Sequence, residues 1–430
     1  MSAPSTEAKP VWKTTEHDRT TLRELARRHL DIANTEKNAE RRDLWYRHND
    51  LQESRPMVLI ESFPATDDYV TDADLVCEED WARGVERWFR VQRCHFEKVG
   101  DDDICEPYFN VNWRVATSDY GVTVDMHYSP GRKGDGVVDG SAVWEPALKD
   151  VERDFHKLRH RTFSVDREGT EEWKAHLASV FGDILPVRIR GGFWWTTGMT
   201  IQAIQFVGLQ NLMMMMYDDP DGLHRVMGFL RDDTVAYAEW LEREGLLSLN
   251  NENDYIGSGS RGYTRSLPRE DWREGDIARL KDLWVLSESQ ETVGVGPSQF
   301  EEFIFPYQKA VTEKFGLLYY GCCEPVHSRW EVLRKFENLR SASVSPWCDE
   351  EFMAEALGRD YVYSRKPNPA FLATTSFDAE AIREGLTATR DVCAKNGCAL
   401  EFIQKDISTV CYEPERLFEW ARIAMEVARG

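Results

Sequence analysis

The sequence predicts one α/β chain folded as a (β/α)8 TIM barrel. Two observations predict this fold class. Short β-rich runs alternate with longer helical patterns from Pro56 onward, which is typical of βα units and a parallel sheet. Each β-rich run also becomes polar at its C-terminal end, the end at which barrels carry their sites. The length of 430 residues suits a barrel with insertions, since such chains can exceed about 400 residues.

Eight runs have the length and composition of barrel strands. They are PMVLIES (56–62), PVRIRGG (186–192), LLSLNNEND (246–254), DLWVLSESQ (282–290), LLYYGCC (317–323), RSASVSP (340–346), YVYSRKPNP (361–369) and ALEFIQKD (399–406). Helical patterns lie between most of them, as at 378–397, where Asp378 is a good N-cap and Gly397 a good C-terminal stop. Because the choice of runs is not unique, a mixed α/β sheet stays open as the alternative.

The predicted organisation is an N-terminal helical extension and one barrel. Residues 1–54 form the extension, whose helical part covers 16–50 and is predicted to lie outside the main core. Residues 55–430 form the barrel, with an inserted α/β cap region at about 63–185. The insertion contains a helix around 81–99 and two alternating segments, 107–115 and 121–129, that favour an antiparallel hairpin.

The charge of the chain excludes some classes of partner. A formal net charge of −22 argues against binding to nucleic acid or to an anionic membrane surface, since both require a basic face. No stretch approaches the roughly 18 apolar residues of a membrane-spanning helix, and the N-terminus lacks a signal peptide. We therefore expect a cytoplasmic protein. The acidity serves solubility or, alternatively, docks a basic partner. The nine cysteines are then free thiols or metal ligands.

Polar residues at the predicted strand ends are the candidate site. Those with candidate catalytic roles, which are to polarise or orient a substrate, are Glu252, Lys366 and Asp406. Those with candidate substrate-binding roles are Arg190, Trp194 and Trp347, the aromatic ones as walls of an apolar pocket. Any one of these residues has an alternative interpretation as a solvated loop residue or as ordinary packing. Their recurrence at the same end of successive strands favours a shared site.

The segment YYGCCEPVHSRW (319–330) is the sharpest local feature. Its two thiols and its carboxylate are of the types that zinc prefers, and a catalytic zinc uses three protein ligands with one position open. In a barrel, Glu288, Cys322 and Cys348 would end three consecutive strands, with Cys323 beside them. The candidate zinc ligands are therefore Cys322, Cys323, Cys348 and Glu288. The alternative is that these cysteines are small buried hydrophobic residues.

Three segments resemble the uroporphyrinogen decarboxylase superfamily. They are VGVGPSQFEEFIFPYQKAVTEKFGLLYYGCCEPV (293–326), YDDPDGLHRVM (217–227) and SFDAEAIREGLTATRDVCAKNGCALEFIQKDI (376–407). The likeness extends from about Arg55 to the C-terminus. It implies a (β/α)8 barrel and one of two activities, decarboxylation or methyl transfer to or from the cobalt of a corrinoid (cobalamin) protein with the help of zinc. The fold also makes a homodimer plausible.

The resemblance favours the methyltransferase branch. Members that serve coenzyme M carry His-x-Cys-Gly at the fifth strand and a Cys at the last strand. Here Tyr320-Gly-Cys322-Cys323 keeps the cysteine without the histidine, and Asp406 stands at the last strand. The Arg-rich motif of the decarboxylases is absent from RPMVLIES (55–62).

The expected function is therefore zinc-dependent methyl transfer between a corrinoid protein and a small molecule. That molecule is a methylated donor, with O-demethylation of a methoxylated aromatic among the candidates, or a thiol or folate-type acceptor. Two alternatives stay open. One is a metal-free decarboxylase or lyase that uses Arg190, Lys366 and Asp406 on a carboxylated substrate. The other is a non-catalytic barrel that binds a corrinoid or tetrapyrrole.

Overall fold

The computed structural model describes residues 12–61, 70–128, 142–191 and 196–430. Within them the strands are β1 (Met57–Ile60), β2 (Phe109–Val111), β3 (Arg114–Thr117), β4 (Asp125–Tyr128), β5 (Ala142–Glu145), β6 (Phe163–Asp166), β7 (Val187–Ile189), β8 (Tyr255–Gly257), β9 (Ser260–Arg261), β10 (Trp284–Ser287), β11 (Leu317–Tyr320), β12 (Leu339–Val344), β13 (Val362–Arg365) and β14 (Ala399–Gln404).

The helices connect these strands and cover the main sheet. They are α1 (Glu16–Ala33), α2 (Glu36–Asn49), α3 (Asp80–Cys94), α4 (Val151–Asp154), α5 (Arg167–Phe181), α6 (Thr200–Val207), α7 (Leu209–Asp218), α8 (Pro220–Arg243), α9 (Pro297–Phe303), α10 (Phe305–Thr312), α11 (Trp330–Leu333), α12 (Glu350–Leu357), α13 (Ala370–Ala373), α14 (Ala379–Asn396) and α15 (Glu415–Arg429). The predicted ends of α14 are confirmed: the Asp378 carboxylate accepts from the Ala381 amide, and Gly397 is left-handed. None of the helices described is long and apolar enough to span a membrane.

Six strands form one parallel sheet in the order β1-β14-β13-β12-β11-β10. Each coincides with one of the eight predicted runs, so six of those predictions are confirmed. Their apolar residues are β-branched or aromatic in large part, which suits a pleated and buried surface. Because all six strands run in one direction, their carboxyl ends meet at a single edge of the sheet.

The structure differs from the predicted barrel at the other two runs. Residues 246–254 form no strand, and β7 pairs in parallel with β2 rather than with a strand of the main sheet. The side chain of Asn250 takes over the role of a strand partner for Trp284. It accepts from the Trp284 amide at 2.8 Å and donates to the Trp284 carbonyl at 3.0 Å. The described residues therefore form a mixed α/β fold around a six-stranded parallel sheet, and a closed barrel is not observed.

The hairpin predicted from 107–115 and 121–129 is wrong. Each of these segments pairs with a more distant part of the chain. The first supplies β2, which pairs with β7, and β3, which pairs antiparallel with β6. The second supplies β4, which pairs antiparallel with β5. Alternating polarity identified strands correctly, but it carries no information about which strand is the partner.

The two faces of the main sheet differ in chemistry. One face presents apolar side chains such as Val58, Leu318 and Phe402 to the surrounding helices. The opposite face carries Tyr319 on β11 and Glu401 on β14. The β8–β9 hairpin covers this second face so closely that a Cβ on Gly257 would lie 2.2 Å from Cγ of Tyr319. Glycine at this position lets the hairpin seal the polar face from solvent.

The N-terminal helices contribute buried residues to separate apolar clusters. Helix α1 places Leu22 and Ala26 in a cluster with Phe89 of α3 and Phe181 of α5. Helix α2 places Trp45 against the main sheet, in a cluster that includes residues of β1 and β14. Helix α2 therefore contacts the main sheet through Trp45, whereas α1 packs against helices of the insertion, and neither contributes to the largest apolar cluster among the described residues.

Candidate active site

Charged and sulfur-bearing side chains follow the carboxyl ends of five strands of the main sheet. They are Glu61 after β1, Glu288 after β10, Cys322 and Cys323 after β11, Lys366 after β13, and Lys405 and Asp406 after β14. Of these, Asp406 is exposed, Cys323 and Glu61 are half-buried, and the others are buried. This set includes five of the ten residues that the sequence nominated, which are Glu288, Cys322, Cys323, Lys366 and Asp406.

Cys322 is held in place by its backbone. Gly321 adopts a φ of 99°, which turns the chain sharply after β11. The Cys322 amide donates to Glu324 Oε2 at 2.8 Å, and its carbonyl accepts from Ser343 Oγ at 2.8 Å. The side chain is 3% exposed. The position of its sulfur is therefore fixed by β11 and β12 together.

The sulfur of Cys322 has two polar neighbours. Lys405 Nζ lies 3.4 Å from it and Cys323 Sγ lies 3.5 Å from it. The contact with Cys323 and the ammonium of Lys405, acting against burial, lower the pKa of the Cys322 thiol to about 7. A thiol with such a pKa is about half ionised at neutral pH, and the thiolate is the reactive form of cysteine.

Cys323 and Asp406 form the outer part of the same cluster. The Cys323 thiol donates to Asp406 Oδ2 at 3.3 Å, and Asp406 Oδ1 lies 3.3 Å from Lys405 Nζ. Asp406 has a φ of 57°, in the left-handed region that aspartate tolerates better than most residues. The contact with Cys322, followed by burial, raises the pKa of Cys323 well above its usual range. The pKa values of the two adjacent thiols are thus shifted in opposite directions.

Glu61 and Ser258 lie on the other side of Lys405. Ser258 Oγ accepts from Lys405 Nζ at 3.1 Å. Burial raises the pKa of Glu61, although the charge of Lys405 opposes the shift. Glu61 Oε2 has no hydrogen-bond partner among the described residues. Glu61 is therefore a buried carboxyl that favours its protonated form and has an oxygen free for a ligand.

Lys366 lies at the floor of the site. Its ammonium donates to Tyr319 Oη at 2.7 Å and to Ser364 Oγ. Burial lowers the pKa of Lys366 to about 7, against the opposing charge of Glu401. Tyr319 and Ser364 both lie on the polar face of the sheet and are hydrogen-bonded to each other. A buried lysine that exchanges its proton near neutral pH is a candidate general acid or base.

A chain of polar groups continues below Lys366. Ser364 donates to Glu401, whose other oxygen accepts from Ser260 Oγ at 2.9 Å. Glu401 Oε2 also lies 3.3 Å from Nε2 of His48 on α2. The network therefore joins the site to the N-terminal helices. Sequence reasoning missed it, although Glu401 interrupts the apolar run of β14 and was a signal.

The four predicted metal ligands do not converge. Cys322 and Cys323 are adjacent, but Cys348 contacts Ser345 Oγ at 3.7 Å, and Glu288 binds Thr196 and the Gln290 amide. Burial, and then the charge of Glu324, raises the pKa of Glu288 well above its usual range. Across the ranges that the structure describes, no group of three or more His, Cys, Asp or Glu side chains is arranged to hold a metal ion.

Arg190 and Glu252 form a separate ion-pair cluster. Arg190 donates to Glu252 at 2.8 Å and to Asp254 at 2.6 Å, and Tyr108 donates to Glu252 at 2.7 Å. Asp254, Tyr108 and Tyr255 line a cavity of about 320 Å³ between the strand ends and the insertion. The Arg190 guanidinium is thus neutralised by two carboxylates of this chain.

The predicted aromatic walls are only partly described. Trp194 lies outside the described residues. Trp347 is 68% exposed and lines a cavity of about 170 Å³ with Glu350, Arg365 and Phe371. Its role in binding a substrate stays a prediction.

Comparison with known proteins bears on the fold. A methyltransferase from Methanosarcina mazei is similar in structure, with a TM-score of 0.50 and 10% sequence identity over 90% of this chain and 98% of that chain. No family model matches the sequence, and no curated protein is similar to it in sequence. At this identity the similarity shows a shared fold.

Proposed function

We propose that this chain is a methyltransferase that moves a methyl group between a small methylated compound and the cobalt of a corrinoid protein. The observation that carries the proposal is the contact of the Lys405 ammonium with the Cys322 sulfur, at 3.4 Å, among the strand ends. It stabilises a buried thiolate at the edge where α/β proteins bind their ligands. The resemblance to the uroporphyrinogen decarboxylase superfamily and the shared fold with a methyltransferase support it.

The chain must hold the methylated compound and deliver a proton to the atom that loses the methyl group. Glu61 and Lys366 are suited to that task, because burial shifts their pKa values toward neutrality from opposite sides. In this proposal Glu61, with its unpartnered Oε2, faces the leaving atom. Lys366 supplies the proton that Glu61 gives up. Lys366 is buried and so is the free Oε2 of the half-buried Glu61, which limits the access of water to both groups.

The corrinoid, when bound, supplies the cobalt that exchanges the methyl group. This group is carried by a partner in our proposal, so the site must open to the surface. Asp406, with 51% of its side chain exposed, and the half-buried Cys323 provide that opening. They border Cys322 and Lys405 directly. Asp406 therefore marks the side from which a cofactor would approach Cys322 and Lys405.

Zinc has no part in this proposal. The predicted ligands Cys322, Cys323, Cys348 and Glu288 do not converge in the described residues. Lys405 already places a positive charge 3.4 Å from the Cys322 sulfur. Burial alone would lower the pKa of Lys405, but the negative charge of Cys322 and of other neighbours raises it. An ammonium can stabilise the thiolate without a metal.

We also infer that the main sheet closes into the barrel predicted from the sequence. Backbone hydrogen bonds extend from both of its edges. The Asp102 amide donates to the Val58 carbonyl at 2.8 Å, and the Ser248 amide donates to the Gly191 carbonyl at 3.0 Å. Asn250 links the second segment to β10. The pairing of β2 with β7 joins the remaining parts, which supports a continuous ring of extended segments.

A donor screen tests the proposed function. The chain is mixed with reduced cobalamin and a panel of methoxylated aromatic compounds, and methylcobalamin formation is followed by its absorbance. We expect turnover with the wild type and a loss of roughly 100-fold or more with Lys366→Met, since general acids contribute about 10²–10⁴-fold. The matched control is Lys395→Met, a lysine at the end of α14. Carbon dioxide release from a carboxylated substrate without corrinoid would instead establish the decarboxylase.

A further inference from the structure

We propose that Cys322 and Cys323 form a dithiol site that captures trivalent organoarsenicals. The two residues are adjacent in sequence, and their sulfurs lie 3.5 Å apart. Trivalent arsenic is a soft centre with a high affinity for thiolates, and it binds two of them at once. The inference is independent of the proposed methyl transfer, because it requires only the two thiols and their neighbours.

The neighbours of the pair activate the two sulfurs in turn. Lys405 Nζ, 3.4 Å from Cys322 Sγ, stabilises the thiolate that attacks first. Asp406 Oδ2, 3.3 Å from Cys323 Sγ, accepts the proton that the second thiol must lose. An ammonium thus contacts one sulfur and a carboxylate contacts the other, and the two charged groups lie 3.3 Å from each other. This arrangement distinguishes it from two thiols that happen to be near each other.

The reaction is balanced without an oxidant. Phenylarsine oxide in water is the dihydroxide, with arsenic bonded to one phenyl group and two hydroxyl groups. The Cys322 sulfur forms the first sulfur–arsenic bond as one hydroxyl group leaves with a proton as water. Cys323 forms the second bond in the same way, so two thiols and one dihydroxide give one cyclic dithioarsenite and two waters. The second bond is intramolecular, which makes capture by a pair far tighter than by one thiol.

The other cysteines are poorer competitors. Cys77, Cys94 and Cys105 are buried in separate parts of the structure. Cys411 is exposed but lies alone, against the carbonyl of Ala373. Cys393 and Cys398 also contact each other and resemble the proposed pair in burial, but Cys393 belongs to the apolar core, whereas Cys322 has the Lys405 ammonium 3.4 Å from its sulfur. Cys323 is half-buried and its thiol donates to the exposed Asp406, so the proposed pair is distinguished by the charged groups beside it.

The test is intact-protein mass spectrometry of the full chain after treatment with phenylarsine oxide and removal of the excess. We expect the wild type to retain one phenylarsenic group per chain and both Cys322→Ser and Cys323→Ser to lose it. Cys398→Ser and Cys411→Ser are the matched controls and should retain it. Because a serine variant can misfold, a second measurement uses the wild type alone: bound arsenical should protect Cys322 and Cys323, and no other cysteine, from iodoacetamide.

Three results would overturn the proposal. Retention of the arsenical by either Cys322→Ser or Cys323→Ser would show that the pair is not the site. Loss of retention in Cys398→Ser would assign the capture to the Cys393–Cys398 pair. Alkylation of Cys322 and Cys323 at the same rate with and without arsenical would show that the wild type does not use them. None of these results depends on methyl-transfer activity.

Discussion

The imidazole of His48 lies 3.3 Å from a carboxylate oxygen of Glu401, and neither side chain is exposed to solvent. His48 belongs to α2 and Glu401 to β14, so the contact ties the N-terminal helices to the interior of the main sheet. Although burial opposes the shift, contacts that include His48 and Lys366 keep the pKa of Glu401 below its usual value. This relationship links the stability of the fold to the charge of the candidate active site.

Removal of His48 should destabilise the protein. His48→Ala removes one of the two neighbours of Glu401 Oε2, which keeps its hydrogen bond from Ser260, and leaves a cavity in place of the ring. The lost polar contact and the cavity together should cost about 1–3 kcal/mol. Urea unfolding measures the free energy of unfolding of the variant and of the wild type. His127→Ala, on the exposed strand β4, is the control and should change nothing measurable. Equal stabilities of the two variants would contradict the assigned role of His48.

Burial of Lys366 should make stability depend on pH. Its pKa is about 7 in the folded protein and near its ordinary value of 10.5 in the unfolded chain, so between these values the unfolded state binds more protons. The free energy of unfolding then rises with pH in this window, by about 1 kcal/mol per pH unit. Lys366→Met removes this pH dependence. Within this window, the free energy of unfolding of the variant relative to that of the wild type should therefore be greatest at pH 7. A constant difference between the two proteins across the window would refute the shift.

Replacement of Lys405 should suppress the reactivity of Cys322. Lys405→Met removes the ammonium that stabilises the thiolate, so the pKa of Cys322 rises from about 7. Each unit of increase reduces the thiolate fraction at neutral pH up to about tenfold. Iodoacetamide labelling at pH 7, with Cys322 quantified in the digested protein, measures this fraction. Lys405→Arg keeps the positive charge and should keep most of the reactivity; an equal loss in both variants would point to packing rather than charge.

Elemental analysis decides whether the chain holds zinc. Because the predicted ligands do not converge in the described residues, we expect far less than one zinc per chain after purification without chelators or affinity-tag nickel. Cys322→Ala should then leave the metal content unchanged. About one zinc per wild-type chain, absent from the variant, would restore the ligand set that the sequence suggested.

Arg190 should act on stability rather than on a substrate. Its guanidinium bridges Glu252 and Asp254, and all three side chains are partly shielded from solvent. Arg190→Ala would leave two carboxylates unpaired, with a loss of about 1–3 kcal/mol, since partial exposure reduces the effect of a buried pair. Thermal and urea unfolding measure it, with Arg243→Ala, an exposed arginine in the last turn of α8, as control. If Arg190→Ala were as stable as the wild type but had lost substrate affinity, Arg190 would be a substrate-binding residue, as the sequence analysis predicted.

The local pattern of residue types was sufficient to predict much of the fold. The runs around β1 and β10–β14 have the apolar, β-branched composition of buried parallel strands, and α14 carries both its capping residues in the sequence. The polar residues that end these runs in the sequence include Cys322, Cys323, Lys366 and Asp406, and all four lie at the candidate site. These inferences succeed because direction and polarity along a strand are local properties of the chain.

The local residue pattern did not predict which strands pair or which side chains meet. The sequence identified the six strands of the main sheet, but not that residues 246–254 form no strand or that β2 pairs with β7. Nor did it show that the Asn250 side chain forms the hydrogen bonds of a strand partner at Trp284. Likewise it nominated Cys348 and Glu288 as ligands, whereas the tertiary structure placed Lys405 beside Cys322 and His48 beside Glu401. Residue type and order fix what each side chain can do. Only folding decides which charges meet in the interior, because burial and distance set their strength and depend on segments far apart in the chain.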